Sequence, residues 1–197
     1  MILEPTALPG TIVVRPERRE DERGFFARVW CRDEFAAHGV AIDIAQASVS
    51  HNRRAGTLRG LHYSIAPARE GKLVRCERGR IFDVALDLRT ESPAFLQHFA
   101  LQLSEDDSVA LYLPPGVAHG FQTLEDDSTV LYMMSEAYRP ELQAGVRFDD
   151  PAFGIAWPLP VSVIAERDRD FANFDRARHA ANARTAETHA GSRHPLP

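Results

Sequence analysis

Lysine is almost absent from this chain: of 23 Lys and Arg residues, only position 72 is lysine, which leaves 22 arginines. Arginine is a planar fork that stays charged, whereas lysine is a compact ammonium on a flexible stem. A site that needs a point charge or a transferable proton does not accept the exchange, so Lys72 is singled out. Cysteine is scarce too. Cys31 and Cys76 are the only two, far apart and without metal-type spacing, which argues against a disulfide framework and for a reducing cytoplasm. No run approaches the 18 or so apolar residues of a spanning helix. Residues 1–9 show no basic stretch followed by an apolar one, so no secretory signal is expected. With a net charge of -5 and no basic stripe, general affinity for nucleic acid is excluded. Local arginine clusters remain able to hold a phosphate.

What is present suits one domain. The chain has 197 residues, of which 44% are hydrophobic, enough for a proper core. Short β-branched and aromatic runs separated by turn residues predict strands at 11–15, 24–30, 42–50, 57–64, 72–77, 80–88, 97–103, 108–113, 118–123 and 129–135. One early helix is expected at 32–38, ending before Gly39. Ten short strands at this spacing make an all-β sandwich or barrel, and a jelly roll fits best. Residues 1–175 read as one domain. From 176 to 197, Ala, Arg, His and Thr without an apolar face read as a disordered tail with solvated histidines.

Four segments carry polar residues where a barrel strand should be bland. In Leu58-Arg59-Gly60-Leu61-His62-Tyr63, strict alternation places Gly60 and His62 on one face and Arg59 and Leu61 on the other. The glycine permits a close approach or marks a bulge. Lys72 shares a face with Val74 and Cys76, which is costly in a barrel interior unless the ammonium meets an anion. Pro114-Pro115-Gly116 is a tight turn leading to His119, and Tyr132 is available as donor and acceptor. The Pro-x-Gly-x-x-His pattern suggests a cupin metal motif, but His62 lacks the paired histidine and carboxylate of the companion motif. Two histidines without a third ligand make a poor transition-metal site. Without metal, these residues point to proton chemistry. Histidine removes a proton beside a carbonyl, an ammonium holds the enolate oxygen, and tyrosine returns a proton on the other face. The histidine needs a carboxylate to fix its tautomer, for which Asp168 and Asp83 are both candidates.

Taken in order, these segments resemble the dTDP-4-dehydrorhamnose 3,5-epimerase family from about residue 15 to 171. The resemblance rests on Asp21-Glu22-Arg23-Gly24-Phe25-Phe26, Leu58-Arg59-Gly60-Leu61-His62-Tyr63 and Gly71-Lys72-Leu73-Val74-Arg75-Cys76. It continues through Phe82-Asp83-Val84-Ala85-Leu86-Asp87-Leu88-Arg89, Pro115-Gly116-Val117-Ala118-His119-Gly120-Phe121, Leu131-Tyr132 and Asp149-Asp150-Pro151. It implies a cupin-type jelly roll (a double-stranded β-helix) with a few short helices near the termini, forming a homodimer that uses no metal and no cofactor. It implies His62 as base oriented by Asp168, Tyr132 as acid, and Lys72 as the group that polarises the C4 carbonyl of a nucleotide-diphosphate ketosugar. Arg23 and Arg59 would engage the diphosphate, while Phe26, Gln46, His119 and Tyr138 would line the sugar and nucleotide pocket. The chain departs from the family pattern at Arg28, at Ala47 and Ser48 after Gln46, at Gln143, where a glutamate is usual, and at Arg167, where a lysine is usual. These positions bear on which nucleotide is bound. A mono-epimerase, a GDP- or CDP-linked substrate, or a non-catalytic sugar-nucleotide-binding cupin are the alternatives.

Overall fold

The strands pair where apolar residues can be buried on both faces of a sheet. In chain order, the computed structural model, which describes residues 1–177 and 179, contains β1 (Ile2–Pro5), β2 (Ile12–Arg15), β3 (Arg18–Asp21), β4 (Gly24–Ala27), α1 (Arg32–Ala37) and β5 (Gln46–Asn52). There follow β6 (Thr57–Ser64), β7 (Lys72–Arg78), β8 (Arg80–Asp87), β9 (His98–Ser104), β10 (Ala110–Leu113), β11 (Val117–Thr123) and β12 (Ser128–Met134). A 3-10 turn (Pro140–Leu142), β13 (Gln143–Gly145), β14 (Val163–Ile164) and α2 (Glu166–Arg169) complete the described chain. One sheet runs β1-β2-β10-β7-β12-β5 and the other β13-β6-β11-β8-β9, with β14 added parallel to β6. This is the all-β, cupin-type jelly roll expected.

The core between the sheets takes Val13, Val74, Cys76, Leu111, Leu113 and Val130 from the first sheet and Ile81, Ala85, Leu103, Val117 and Phe121 from the second. Each sheet is also covered outside. Phe35 of α1, with Val40 and Ile42, packs on Ile12, Val14, Leu73, Ala110 and Tyr112, and burying the Phe35 ring contributes roughly 2–3 kcal/mol. Val146 and Phe153 cover Leu61, Val84, Leu86 and Ala118 of the second sheet. Double coverage explains why β8 is almost continuously buried instead of alternating.

Three expectations change here. The strand expected at 42–50 begins only at Gln46, because Ile42 serves the outer layer, and that at 24–30 stops at Ala27. Of the tail expected to be disordered, all but Arg176, Ala177 and His179 lies outside the described residues. His179 is half-buried and donates from Nε2 to the Leu88 carbonyl at 2.7 Å. The alternation in β6 breaks, because the β6–β11 register shifts between the His119–His62 and Phe121–Arg59 pairs. One extra β6 residue sits in a bulge, so Arg59 and His62 both face inward while Leu61 joins the outer layer. Gly60 makes this possible. Its φ is +113°, and a Cβ would lie 2.6 Å from Gly120 Cα and 2.7 Å from the His119 oxygen.

At the end of β8, Asp87 is fully buried and accepts from Arg89 Nε (2.8 Å), Arg89 Nη2 (2.6 Å) and Ser92 Oγ (2.6 Å). Burial raises its carboxyl, but the bonds from Arg89 and Ser92 outweigh it and hold the group below the ordinary carboxylate range. A depressed folded value means that the unfolded chain binds more protons near pH 4, so the stabilisation is complete above the unfolded value of about 3.9. It is lost as pH falls through the folded value. Asp87→Asn should cost about 3 kcal/mol at neutral pH and flatten the acid limb of stability, read by urea unfolding at several pH values.

Candidate active site

The inward bulge of β6 builds the first half of the site. His62 Nε2 lies 2.7 Å from Asp168 Oδ1, and the Gly60 N–H donates to Asp168 Oδ2 at 3.1 Å. Asp168 sits on α2 with its side chain only 3% exposed. Desolvation pushes its carboxyl up, yet the bonds from His62 and Gly60, with the Arg167 charge nearby, hold it below the usual range. The carboxylate therefore stays ionised and can accept a ring N–H from His62 Nε2, which orients the imidazole. Of the two candidate carboxylates, Asp168 serves His62 and Asp83 serves His119, whose Nε2 lies 2.7 Å from Asp83 Oδ1.

The opposing sheet supplies the second half. Tyr132 of β12 pairs across to Val74 and Ser48, and Met134 to Lys72 and Gln46. Paired residues share a face, so Tyr132, Lys72, Gln46 and Ser48 line one inner wall. The His119 ring meets Tyr132 edge-on at 5.7 Å and joins the two walls. His119 itself is 4% exposed and lies between the two walls. Burial, and then the Asp83 charge, push the Tyr132 phenol well above its ordinary value against the opposing pull of Arg59. The tyrosine thus keeps its proton at neutral pH and is fit to donate it.

Other expected residues gather at the mouth. His62, Tyr138, Gln143, Ala144, Arg167 and Phe171 line a cleft of about 160 Å³. Tyr138 is 62% exposed at its rim. Arg167 Nη2 is 3.2 Å from His62 Nε2 and its Nε is 3.4 Å from Asp168 Oδ1. Arg59 faces inward and donates from Nε to Asn52 Oδ1 at 2.7 Å. Asn52, unsuspected from sequence, is fixed because its Nδ2 donates to the Ser50 and Ser128 carbonyls. Phe171 was also missed. Its ring stands 6.3 Å from His62 and presses on Gly145, where a Cβ would lie 2.2 Å from it. Glu70 is the third omission, paired with Lys72 at 3.1 Å; its spacing two residues before Lys72 was the available signal.

Two expected residues do not join the cleft. Arg23 and Phe26 lie on the β3–β4 hairpin, a separate two-stranded sheet. Phe26 is 74% exposed, and Arg23 makes its ion pair with Asp21. Arg28 likewise pairs with Glu34 at 2.5 Å, and Ala47 pairs with Met133 on the outer face. Among the described residues, no group of three His, Cys, Asp or Glu side chains could hold a metal. No described helix is long and apolar enough to cross a membrane.

The profile of the family described as dTDP-4-dehydrorhamnose 3,5-epimerase matches residues 5–176. The chain is 40% identical over 169 residues to the dTDP-4-dehydrorhamnose 3,5-epimerase of Methanothermobacter thermautotrophicus, covering 84% of this chain and 90% of that one. It is 36% identical over 181 residues to the dTDP-4-dehydrorhamnose 3-epimerase of Streptomyces niveus, covering 91% and 87%. Its fold is similar to that of the dTDP-6-deoxy-D-glucose-3,5-epimerase of Legionella pneumophila in complex with dTDP-4-keto-L-rhamnose. The TM-score there is 0.79 at 32% identity, covering 85% of this chain and 89% of that one.

Proposed function

The chain belongs to the dTDP-4-dehydrorhamnose 3,5-epimerase family, and from that premise we propose that it inverts carbons 3 and 5 of a dTDP-linked 4-keto-6-deoxyhexose. The observation that carries this reading is the placement of a carboxylate-oriented histidine on one sheet, facing a proton-retaining tyrosine and a lysine on the other. Neutral His62 takes the proton from the carbon beside the C4 ketone, and that C–H electron pair becomes the double bond of an enolate. The negative charge settles on the C4 oxygen, where the Lys72 ammonium receives it. Tyr132 then gives its proton to the opposite face of the carbon, which inverts it, and both residues exchange protons with water before the next carbon. Asp168 holds the imidazole and stabilises the imidazolium that forms.

In this reading Arg59, held by its bond to Asn52, engages the diphosphate. The dTDP ketosugar bound to the Legionella relative supports a thymidine nucleotide over GDP or CDP. In deuterated water, dTDP-4-keto-6-deoxy-D-glucose should gain label at carbons 3 and 5, read by NMR. A second reading, inversion at carbon 3 alone, is favoured by the likeness to the Streptomyces niveus 3-epimerase; label at carbon 3 only would select it. Absence of label at both carbons would sink both readings.

The working unit in this proposal is a homodimer in a reducing cytoplasm, where Cys31 and Cys76 stay unpaired. A cleft of about 160 Å³ is smaller than the roughly 300 Å³ at which small-molecule pockets begin. Phe25 and Phe26 stand exposed on the hairpin, so a second copy that covers them would complete the pocket and bring Arg23 and Phe26 to the substrate. Sedimentation should give twice the mass of one chain for the parent and a single chain for Phe26→Asp. A monomeric parent would refute the dimer.

A further inference from the structure

The proton chemistry assigns no task to Glu70, although its side chain is only 4% exposed and lies against the Lys72 ammonium, Oε1 to Nζ, at 3.1 Å. Its other oxygen is held as well. Oε2 accepts from Ser64 Oγ at 2.9 Å and from Gln143 Nε2 at 3.4 Å, and the same Gln143 nitrogen is 3.0 Å from Ser64 Oγ. Ser64 stands two residues beyond His62 on β6, and Gln143 pairs with it from β13. The backbone between Glu70 and Lys72 is pinned too. The Gly71 N–H donates to Ser135 Oγ at 2.8 Å and the Ser135 N–H to the Gly71 oxygen at 3.0 Å. The three clamps come from three different strands or loops, so the carboxylate has one position.

A carboxylate beside an ammonium weakens its pull on a third charge, which would be a poor arrangement if Lys72 supplied charge alone. A lysine side chain is otherwise free to swing on its four-carbon stem. One N–H given to a fixed acceptor removes that freedom and leaves two donors in a set direction. Pre-set direction is what an oxyanion donor requires.

We propose that Glu70 is a positioning residue for the epimerisation: it holds Lys72 as an aimed ammonium, and Ser64 and Gln143 hold Glu70 in turn. Gln143 therefore serves Lys72 through Glu70, in place of the nucleotide contact expected from sequence. The inference rests on the epimerase reading for the use of Lys72, but the pairing itself does not depend on substrate.

The sole lysine makes the pairing directly visible. Full-length protein grown with lysine labelled with ¹⁵N at Nζ gives one side-chain ammonium signal, with no assignment needed. In the parent that signal should be sharp in the cold. In Glu70→Gln its proton exchange with water should rise about tenfold or more, with Glu70→Asp in between. Steady-state rates with the dTDP ketosugar should show kcat reduced about 10–100-fold in Glu70→Gln with KM changed less than about threefold. Glu70→Asp should recover part of that loss, and Glu70→Gln should cost nothing further in a Lys72→Met background. Should Glu70→Gln fail to fold, Ser64→Ala loosens the same carboxylate by one hydrogen bond and should still speed ammonium exchange. An ammonium indifferent to these changes, or an equal rate loss without Lys72, overturns the proposal. A parent with a Glu70-dependent ammonium and no isotope uptake from any nucleotide ketosugar would instead overturn the epimerase reading and leave the pairing standing.

Discussion

His62→Asn is expected to lower turnover by about 10²–10⁴-fold and to stop deuterium uptake at both carbons while the protein stays folded. The asparagine amide is close to the imidazole in polarity but has no basic nitrogen, so the C–H bond beside the ketone keeps its proton. Folding should survive because His62 is only half-buried and its partner Asp168 keeps the Gly60 N–H. Binding of dTDP should change little, since Arg59 and Asn52 lie on the other side of the Gly60 bulge and bond to each other without His62. The decisive comparison is between isotope exchange and nucleotide titration on the same sample. Residual exchange within about threefold of the parent would remove His62 from the role of base.

Lys72→Arg should cost about 10²-fold in kcat despite keeping the charge. Glu70 is the reason. A guanidinium at position 72 can form two parallel hydrogen bonds to a carboxylate, and Glu70, 3.1 Å from the native ammonium, offers that geometry at once. The fork would turn toward Glu70 and away from the C4 oxygen. Lys72→Met should cost at least as much, so the pair of variants separates charge from direction. If Arg at 72 supported near-parental kcat, the preference for a compact ammonium at that position would have no chemical basis here.

How far the sequence discloses this molecule depends on which force sets each part. Strand β6 is bounded in the structure as expected, 57–64, because turn residues flank a run of β-branched and aromatic side chains. Its facing pattern was not legible, since a bulge adds one residue without changing composition, and only the approach of Gly60 to Gly120 and His119 reveals it. Strands β13 and β14 are three and two residues long and exist only through hydrogen bonds to β6, so no periodicity could announce them. Lys72 and His62 stood out by scarcity and motif. The choice between Asp168 and Asp83 needed either the family likeness or the fold, because sequence distance says nothing of which carboxylate crosses to which histidine. Glu70 and Asn52 were passed over because each acts on a neighbouring side chain, and such indirect roles leave no spacing of their own.

The bond between His62 and Asp168 closes a loop of 106 residues. Ribosomes add about 5–20 residues per second, so a nascent chain carries His62 for roughly 5–20 s before Asp168 has been made. Through that interval the barrel strands can pair, but the imidazole has no carboxylate to fix its tautomer, and β6 lacks the parallel strand that arrives with Val163 and Ile164. Competence is thus conferred by almost the last segment of the domain to be synthesised. A truncated or stalled product ending before residue 163 would hold most of the fold and none of the oriented base.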